Sequence, residues 1–304
     1  MERILDYKIE EKDDGLIVRR YLEDRGYSHA VLVRLKKTDC GILINNSWRC
    51  VNDSLHTGDL LRITLREEEE NTQILPVSLP LSILYEDKDI LVADKPAGMP
   101  IHPSMHNYGN TLANAVMYYF KEQKIPYTFR CINRLDRDTT GLTVLAKHSL
   151  SSAILSRQMV KRRIHRTYLA IVEGMTPDSG TIDAPIARKD GSAIERIVDP
   201  RCGETAVTHY KRIAFHDGLS LIALQLETGR THQIRVHMKH IGHPLIGDFL
   251  YHPDMSRIQR QALHSYRLDF MHPITEQPCE FYAPLPADMA ELFPEFSLFN
   301  HFFF

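Results

Sequence analysis

Residues 131–142 read Cys131-Ile132-Asn133-Arg134-Leu135-Asp136-Arg137-Asp138-Thr139-Thr140-Gly141-Leu142. Apolar, strand-like segments flank a polar loop holding two Asp, two Arg, two Thr and one Gly. Two readings fit this loop. In the plain one it is a well-bonded turn, with Asp and Thr capping backbone amides and Gly141 at positive φ. In the other, one Asp faces a cleft while the neighbouring Arg side chains hold anions. Spacing alone leaves both open.

The segments on either side set the fold class. Ile90-Leu91-Val92-Ala93 is a buried-strand pattern, and strand-like runs recur at 142–145, 168–172 and 219–226. Ser149 is read as the cap of a helix reaching about Arg162, with Leu150, Ile154 and Leu155 on its apolar side. Another helix is expected from near His232 to Ile241, ended by Gly242. Strands dominate, and helices fall between them irregularly. This predicts an α+β domain rather than a doubly wound sheet. No internal repeat is visible. The aromatic tail at 299–304 is expected to pack on the domain surface.

Towards the N-terminus, residues 14–66 read as a compact unit. Asp14 is placed as the cap of a helix carrying Leu16, Val18 and Leu22 and ended by Gly26. Ser28 caps a second helix with Val31, Leu32 and Leu35, and Gly41 stops it. Ile42-Leu43-Ile44 then reads as a strand, Asn45-Asn46 as a turn, and 60–65 as another strand. Arg19, Arg20, Arg34, Lys36 and Lys37 supply a cationic helix face. Residues 67–80 read as a linker, with a charge block from Glu67 to Glu70 and prolines at 76 and 80. The expected division is a small domain at 1–72 and a large one at 73–304.

The chain has 304 residues, enough for one large domain and a small one. Its 37 Lys and Arg against 39 Asp and Glu give a net charge of -2. That balance does not mark a basic nucleic-acid binder, so any surface for a polyanion must be a local patch. The five cysteines form no C-x-x-C pair, which argues against a zinc knuckle or disulfide framework and fits a reducing cytosol. The charged start MERILDYKIEEKDDG lacks an apolar signal core. No run approaches the roughly 20 apolar residues that span a membrane. A cytoplasmic protein is expected.

Three further segments carry candidate chemistry. In Thr228-Gly229-Arg230-Thr231-His232-Gln233-Ile234-Arg235-Val236-His237, helical spacing puts His232, Arg235 and Lys239 on one side, a cationic ridge for phosphates or a carboxylate. A metal site built from His232, His237, His240 and His243 is the weaker alternative, because no H-E-x-x-H motif and no acidic ligand occurs among them. Arg162-Arg163-Ile164-His165-Arg166-Thr167-Tyr168 is a basic run entering a strand. It reads as a surface helix end before a core Tyr, or as a base-stacking face beside phosphate contacts. Lys95-Pro96-Ala97-Gly98-Met99-Pro100-Ile101-His102-Pro103 is a rigid loop after a strand.

Together these segments resemble the RluA family of pseudouridine synthases. The family's R-L-D…[ST]-G loop matches Arg134-Leu135-Asp136 with Thr140-Gly141. Its K-P-x-G…H-P segment matches residues 95–103, and its Y-x-A-x-V-x-G strand matches Tyr168, Ala170, Val172 and Gly174. Its T-G-R-x-H-Q-I-R-x-H segment matches 228–237, followed by Gly242-His243-Pro244 and Gly247-Asp248. Residues 260–264 and 283–286 also fit, so the resemblance covers about 82–288. Residues 14–66 resemble the small RNA-binding domain shared with a ribosomal small-subunit protein. Two positions depart from the pattern: Asn46 replaces the usual Gly of the turn, and Asn133 the common His before R-L-D.

The resemblance implies a mainly antiparallel catalytic sheet and a cofactor-free, metal-free isomerisation of uridine within folded RNA. It implies Asp136 as the essential carboxylate, Arg235 as its partner and Tyr168 as the residue stacking on the target base. Arg134 is implied to fill the space left by the flipped base, and Ile234 to wall the pocket. Arg230, His232, Lys95 and His102 are expected at the substrate. Ribosomal RNA is the expected partner, tRNA the alternative, and the protein is expected to act as a monomer. A non-catalytic RNA-binding or ribosome-assembly protein of the same build is the competing reading.

Overall fold

The computed structural model describes residues 1–67 and 73–294. The linker residues 68–72 and the aromatic tail lie outside the described residues. The first unit consists of β1 (Glu2–Lys8), α1 (Val18–Asp24), α2 (His29–Lys37), β2 (Ile42–Ile44), β3 (Ser47–Trp48) and β4 (Leu60–Arg66). Its sheet runs β1-β4-β2-β3. The expected helix-helix-hairpin is present, and Asn45 and Asn46 take φ of 50° and 64° in the tight turn. Strand β1 went unread because its exposed residues, among them Glu2, Asp6 and Lys8, hide the alternation. Asp14 does not cap α1. A short 3-10 turn at Glu11–Asp13 delays the helix, Ile17 takes the cap position, and the Asp14 carboxylate accepts the Thr57 N–H at 2.7 Å. Ser28 does cap α2, accepting the Val31 N–H at 3.4 Å.

The second unit continues with β5 (Ser82–Glu86), β6 (Ile90–Lys95), α3 (Leu112–Glu122), β7 (Thr140–Ala146), α4 (Ser149–Val160), β8 (His165–Glu173) and β9 (Ser179–Asp183). Then follow β10 (Ile186–Arg188), β11 (Arg196–Val198), β12 (Val207–His216), β13 (Leu219–Leu226), α5 (Gln233–His240), β14 (Leu263–Met271), β15 (Pro278–Tyr282) and α6 (Ala287–Ala290). A nine-stranded sheet runs β5-β6-β7-β14-β8-β13-β12-β9, with β15 added on β14. Its pairings are antiparallel except that of β7 with β14. The fold is therefore α+β with a mainly antiparallel sheet. The described residues contain no helix long and apolar enough to cross a membrane.

Period-2 alternation divides the core. Leu91, Ala93 and Leu145 point to one face, under α3, whereas Ile90, Val92, Leu142 and Val144 point to the other with Leu155 of α4. Helix α3 starts with a Thr111–Asn114 capping box, a signal the sequence reading passed over. Ser149 is not the cap of α4. His148 is, accepting the Ser151 N–H at 3.2 Å through Nδ1. On β8 and β13, Tyr168, Ala170, Ile222 and Leu224 face α5. The parallel contact of β7 and β14 is tight at one point. Gly141 has φ of 105°, and a Cβ there would lie 2.3 Å from the Ser265 carbonyl oxygen.

The two units meet along α4. Leu150 is buried in the core of the first unit, and Ala153, Ile154 and Ile274 pack against it. Two carboxylates cross the contact. Asp89 accepts Arg3 Nε at 2.7 Å and pairs with His148 Nε2 at 2.9 Å. Glu67, read as the start of a linker charge block, is only 2% exposed. It accepts Arg34 Nη1 at 2.9 Å, Arg130 Nη2 at 2.8 Å and the Ser149 N–H at 2.8 Å. Burial works to raise its pKa, but the Arg130 charge and these hydrogen bonds outweigh burial and hold it below the usual Glu value. A depressed carboxylate contributes stability that is present above its unfolded pKa of about 4.3 and lost as pH falls through the folded value. Glu67→Gln should therefore destabilise the protein at pH 7 by roughly 2–4 kcal/mol, because two guanidiniums and an amide lose a charged acceptor. Thermal melts from pH 7 down to pH 3 should show a shallower acid slope in the variant than in the wild type.

Candidate active site

Asp136 lies in the loop that enters β7, and several groups fix that loop. Asn133 starts it: its side chain donates to the Leu142 carbonyl at 3.0 Å and accepts the Val144 N–H at 2.9 Å. The Thr139 N–H closes a turn on the Asp136 carbonyl at 3.2 Å. Cations from both sides hold two more carbonyls, Lys95 Nζ on Arg137 at 2.9 Å and Arg260 Nη1 on Asp138 at 3.4 Å.

Asp136 and Arg235 come together across 99 positions of sequence. Arg235 Nη1 donates to Asp136 Oδ2 at 3.0 Å. The guanidinium is itself anchored, with Nε and Nη2 on Asp248 at 2.7 and 2.8 Å. Arg235 and Asp248 have 2% and 1% side-chain exposure, and Asp136 has 27%. Burial opposes the Arg235 charge, but the hydrogen bonds and charge of Asp248, followed by those of Asp136, raise its pKa above the usual value. Asp248 also accepts the N–H groups of Leu250 and Tyr251 at 3.0 and 3.1 Å. The pair thus presents one enclosed carboxylate and one open one to a single cation.

These groups border a cleft of about 1000 Å³. Leu135, Tyr168 and Ile234 share one buried cluster and form its apolar wall. Six arginines line it, at 134, 137, 162, 166, 230 and 235, against two acidic residues, Asp136 and Glu227. The local basic patch therefore exists within a chain of net charge -2. Arg137, Arg162 and Arg230 are paired with Asp138, Glu227 and Glu204. Arg134 and Arg166 have no side-chain hydrogen bond or ion pair among the described residues. Arg166, although within the basic run, was not singled out as a site residue; nor were Asp248 and Tyr251. His102 lines the cleft edge-on to Phe129. Burial, then the Arg134 charge, lowers its pKa.

His232 reaches the site, with Nε2 3.9 Å from Asp136 Oδ2. It does not share a helix face with Arg235, because it sits before α5 in a left-handed conformation. His237 bonds Thr208 and the Ala184 carbonyl inside the fold and lies away from the cleft lining. Among the described residues, the one group spaced to hold a metal is Asp87, Asp89 and His272, none of which lines the cleft.

Lys95, expected at the substrate, does not reach the cleft. It is fully buried, and Nζ donates to the carbonyls of Pro96, Met99 and Arg137 at 2.8, 2.8 and 2.9 Å. Three acceptors match the three N–H bonds of an ammonium group. Burial pulls its pKa down to about 7, against the opposing charges of Asp138 and Asp136.

Several known proteins are similar to this chain. A family model described as RNA pseudouridylate synthase matches residues 89–240. The protein termed Uncharacterized RNA pseudouridine synthase YjbO, from Bacillus subtilis (strain 168), is 41% identical over 278 residues, spanning 91% of this chain and 98% of that protein. Ribosomal large subunit pseudouridine synthase D of Haemophilus influenzae is 40% identical over 249 residues, spanning 77% of this chain and 76% of that protein. Among solved structures, that of Human RNA Pseudouridylate Synthase Domain Containing 1 aligns with a TM-score of 0.57 at 28% identity, covering 67% of this chain and 83% of that one.

The lowered Lys95 pKa makes stability depend on pH. Between pH 7 and about 10.4, the unfolded lysine holds a proton that the folded one releases, so this group makes stability rise with pH through that window. Lys95→Met should remove that rise and leave three carbonyls without a donor. The loss should be roughly 3 kcal/mol or more at pH 7, read by denaturant melts at pH 7 and 9.

Proposed function

This chain belongs to the RNA pseudouridylate synthase family, and we propose that Asp136 is the carboxylate on which its isomerisation of uridine to pseudouridine depends. The observation that carries this assignment is the open Asp136 carboxylate, gripped by a buried arginine inside an arginine-lined cleft. The reaction breaks the bond from ribose C1′ to uracil N1 and forms one from C1′ to C5. N1 gains a proton and C5 loses one, so the change is redox-neutral.

Each neighbour then has a chemical task. Arg235 holds Asp136 fixed in direction through a charge-assisted hydrogen bond. Tyr168, on the wall beside Ile234, stacks on the uracil once it has left the helical stack. Arg134 is exposed beside it and is suited to fill the gap in the RNA, while Arg166 and Arg230 meet phosphates. Ribosomal RNA is the proposed substrate, supported by the relative named for the ribosomal large subunit. Residues 1–72 are proposed as a second RNA-contacting domain, which presents Arg19, Arg20, Lys36 and Lys37 at or near its surface. The protein is proposed to act as a cytoplasmic monomer, a setting its five free thiols suit.

Tritium release from C5-labelled RNA of cells lacking the protein tests the assignment. Asp136→Asn preserves size but not charge, and should lower turnover by ~10³-fold or more with RNA affinity retained. Asp138→Asn, whose side chain pairs with Arg137 rather than with Arg235, should stay within about tenfold of wild type. Wild-type turnover in the Asp136 variant would remove the assignment. Arg235→Lys keeps the charge but not the two-pronged grip on Asp248, and should cost ~10²-fold in kcat through misplacement of Asp136. A near-normal kcat would show that Arg235 does not orient it.

A further inference from the structure

One hydrogen-bond chain beside Asp136 has a direction that can be worked out. The Arg196 N–H donates to the Tyr251 hydroxyl oxygen at 2.8 Å. Tyr251 Oη also lies 2.9 Å from His232 Nδ1. Among the described residues, no other acceptor is within reach of the Tyr251 hydroxyl proton, so that proton points at Nδ1. A neutral imidazole has one donor and one acceptor nitrogen. With Nδ1 accepting, the ring proton sits on Nε2, which lies 3.9 Å from Asp136 Oδ2.

The surroundings hold this arrangement in place. His232 has φ of 57°, a conformation few non-glycine residues take. The next side chain, Gln233, secures that turn by accepting the Thr228 hydroxyl and the Arg230 N–H at 2.8 and 3.0 Å and donating to the Val207 carbonyl at 3.0 Å. The Tyr251 ring lies edge-on to His232, with centroids 5.7 Å apart, and the Arg235 guanidinium sits 5.0 Å from the Tyr251 centroid. Burial lowers the His232 pKa ahead of the opposing pull of Asp136, which favours the neutral ring.

We propose that Tyr251 is a positioning residue: it locks His232 in the tautomer whose Nε2–H is presented to Asp136. This rests on the assignment of Asp136 given above. Arg235 supplies Asp136 with a fixed charged donor. His232 supplies a second, neutral donor that reaches the carboxylate when the cleft tightens on RNA, without a second positive charge beside it. Because the Arg196 N–H belongs to β11, the relay also ties the β10–β11 hairpin to the reacting carboxylate.

The test has a spectroscopic arm and a kinetic arm. In protein labelled with 15N-histidine, with the His232 signals assigned by their loss in His232→Gln, wild type should show a protonated Nε2 and an unprotonated Nδ1. Tyr251→Phe keeps the ring packing but removes the hydroxyl, and should give a mixture of tautomers. With C5-tritiated total RNA from cells lacking the protein, Tyr251→Phe should lower kcat ~tenfold and leave the apparent KM within about twofold. His232→Ala should lose at least as much, and His232→Gln, which keeps a neutral N–H, should recover most of the rate. A wild-type His232 protonated on Nδ1 would overturn the proposal, as would a wild-type kcat in Tyr251→Phe. Activity in Asp136→Asn would instead sink the assignment of Asp136, and the tautomer measurement would still judge the lock itself.

Discussion

The site depends on the division of one guanidinium between two carboxylates. A buried Arg without a partner would cost several kcal/mol, and Asp248 removes that cost by accepting two of its N–H bonds. Asp248 is in turn held by two backbone amides, so the anchor cannot turn. With the Nε–Nη2 edge of the guanidinium taken by Asp248, Nη1 has a fixed direction, and Asp136 lies along it. The outcome is a carboxylate held by a buried charge yet open to a substrate. A single Arg–Asp pair at the surface would have neither the rigidity nor the low-dielectric surroundings.

A loop cannot hold such a position by its own backbone bonds, and here it does not. The carbonyls of Arg137 and Asp138 are captured by Lys95 and Arg260, and the loop's base is stitched to β7 by Asn133. These supports come from both sides of the β7–β14 junction, where the sheet has its one parallel pairing. Gly141 lets the two strands touch there. The cleft sits where the two halves of the sheet meet, so any shift of one half against the other moves Asp136 relative to Arg235.

The N-terminal unit is joined to this framework by more than a linker. Glu67 and Asp89 are carboxylates with little exposure, each satisfied by groups from both units, and Leu150 completes the smaller core. Hydrogen bonds to His148 and Arg3 outweigh the effect of burial and hold the Asp89 pKa at about 2. A unit docked in this way presents its cationic surface at a set distance from the cleft.

Much of this was legible in the sequence for physical reasons. The strands at 90–93, 142–145 and most of 219–226 are buried on both faces, so they read as near-continuous apolar runs broken only by Thr143, Ser220 and Gln225. The cap at Ser28, the Asn45-Asn46 turn and the helix stopped by Gly242 follow from local backbone chemistry. Ordered motifs spread over some 200 residues identified the family and pointed to Asp136 and Arg235. Local signals failed where a distant group took over. Ser149 looked like a cap, but His148 serves because its ring is braced by Asp89, 59 positions earlier. Lys95 looked like a substrate contact, yet three carbonyls enclose it. Glu67 read as part of a linker charge block, yet Arg34 and Arg130 close over it. The sequence by itself determined the family and where the strands and helices nearest the cleft lie, because residue type and short-range periodicity encode those things. Only the tertiary structure decided which carboxylate stays open, which cation is buried and which groups surround His232, because each is set by partners far apart along the chain.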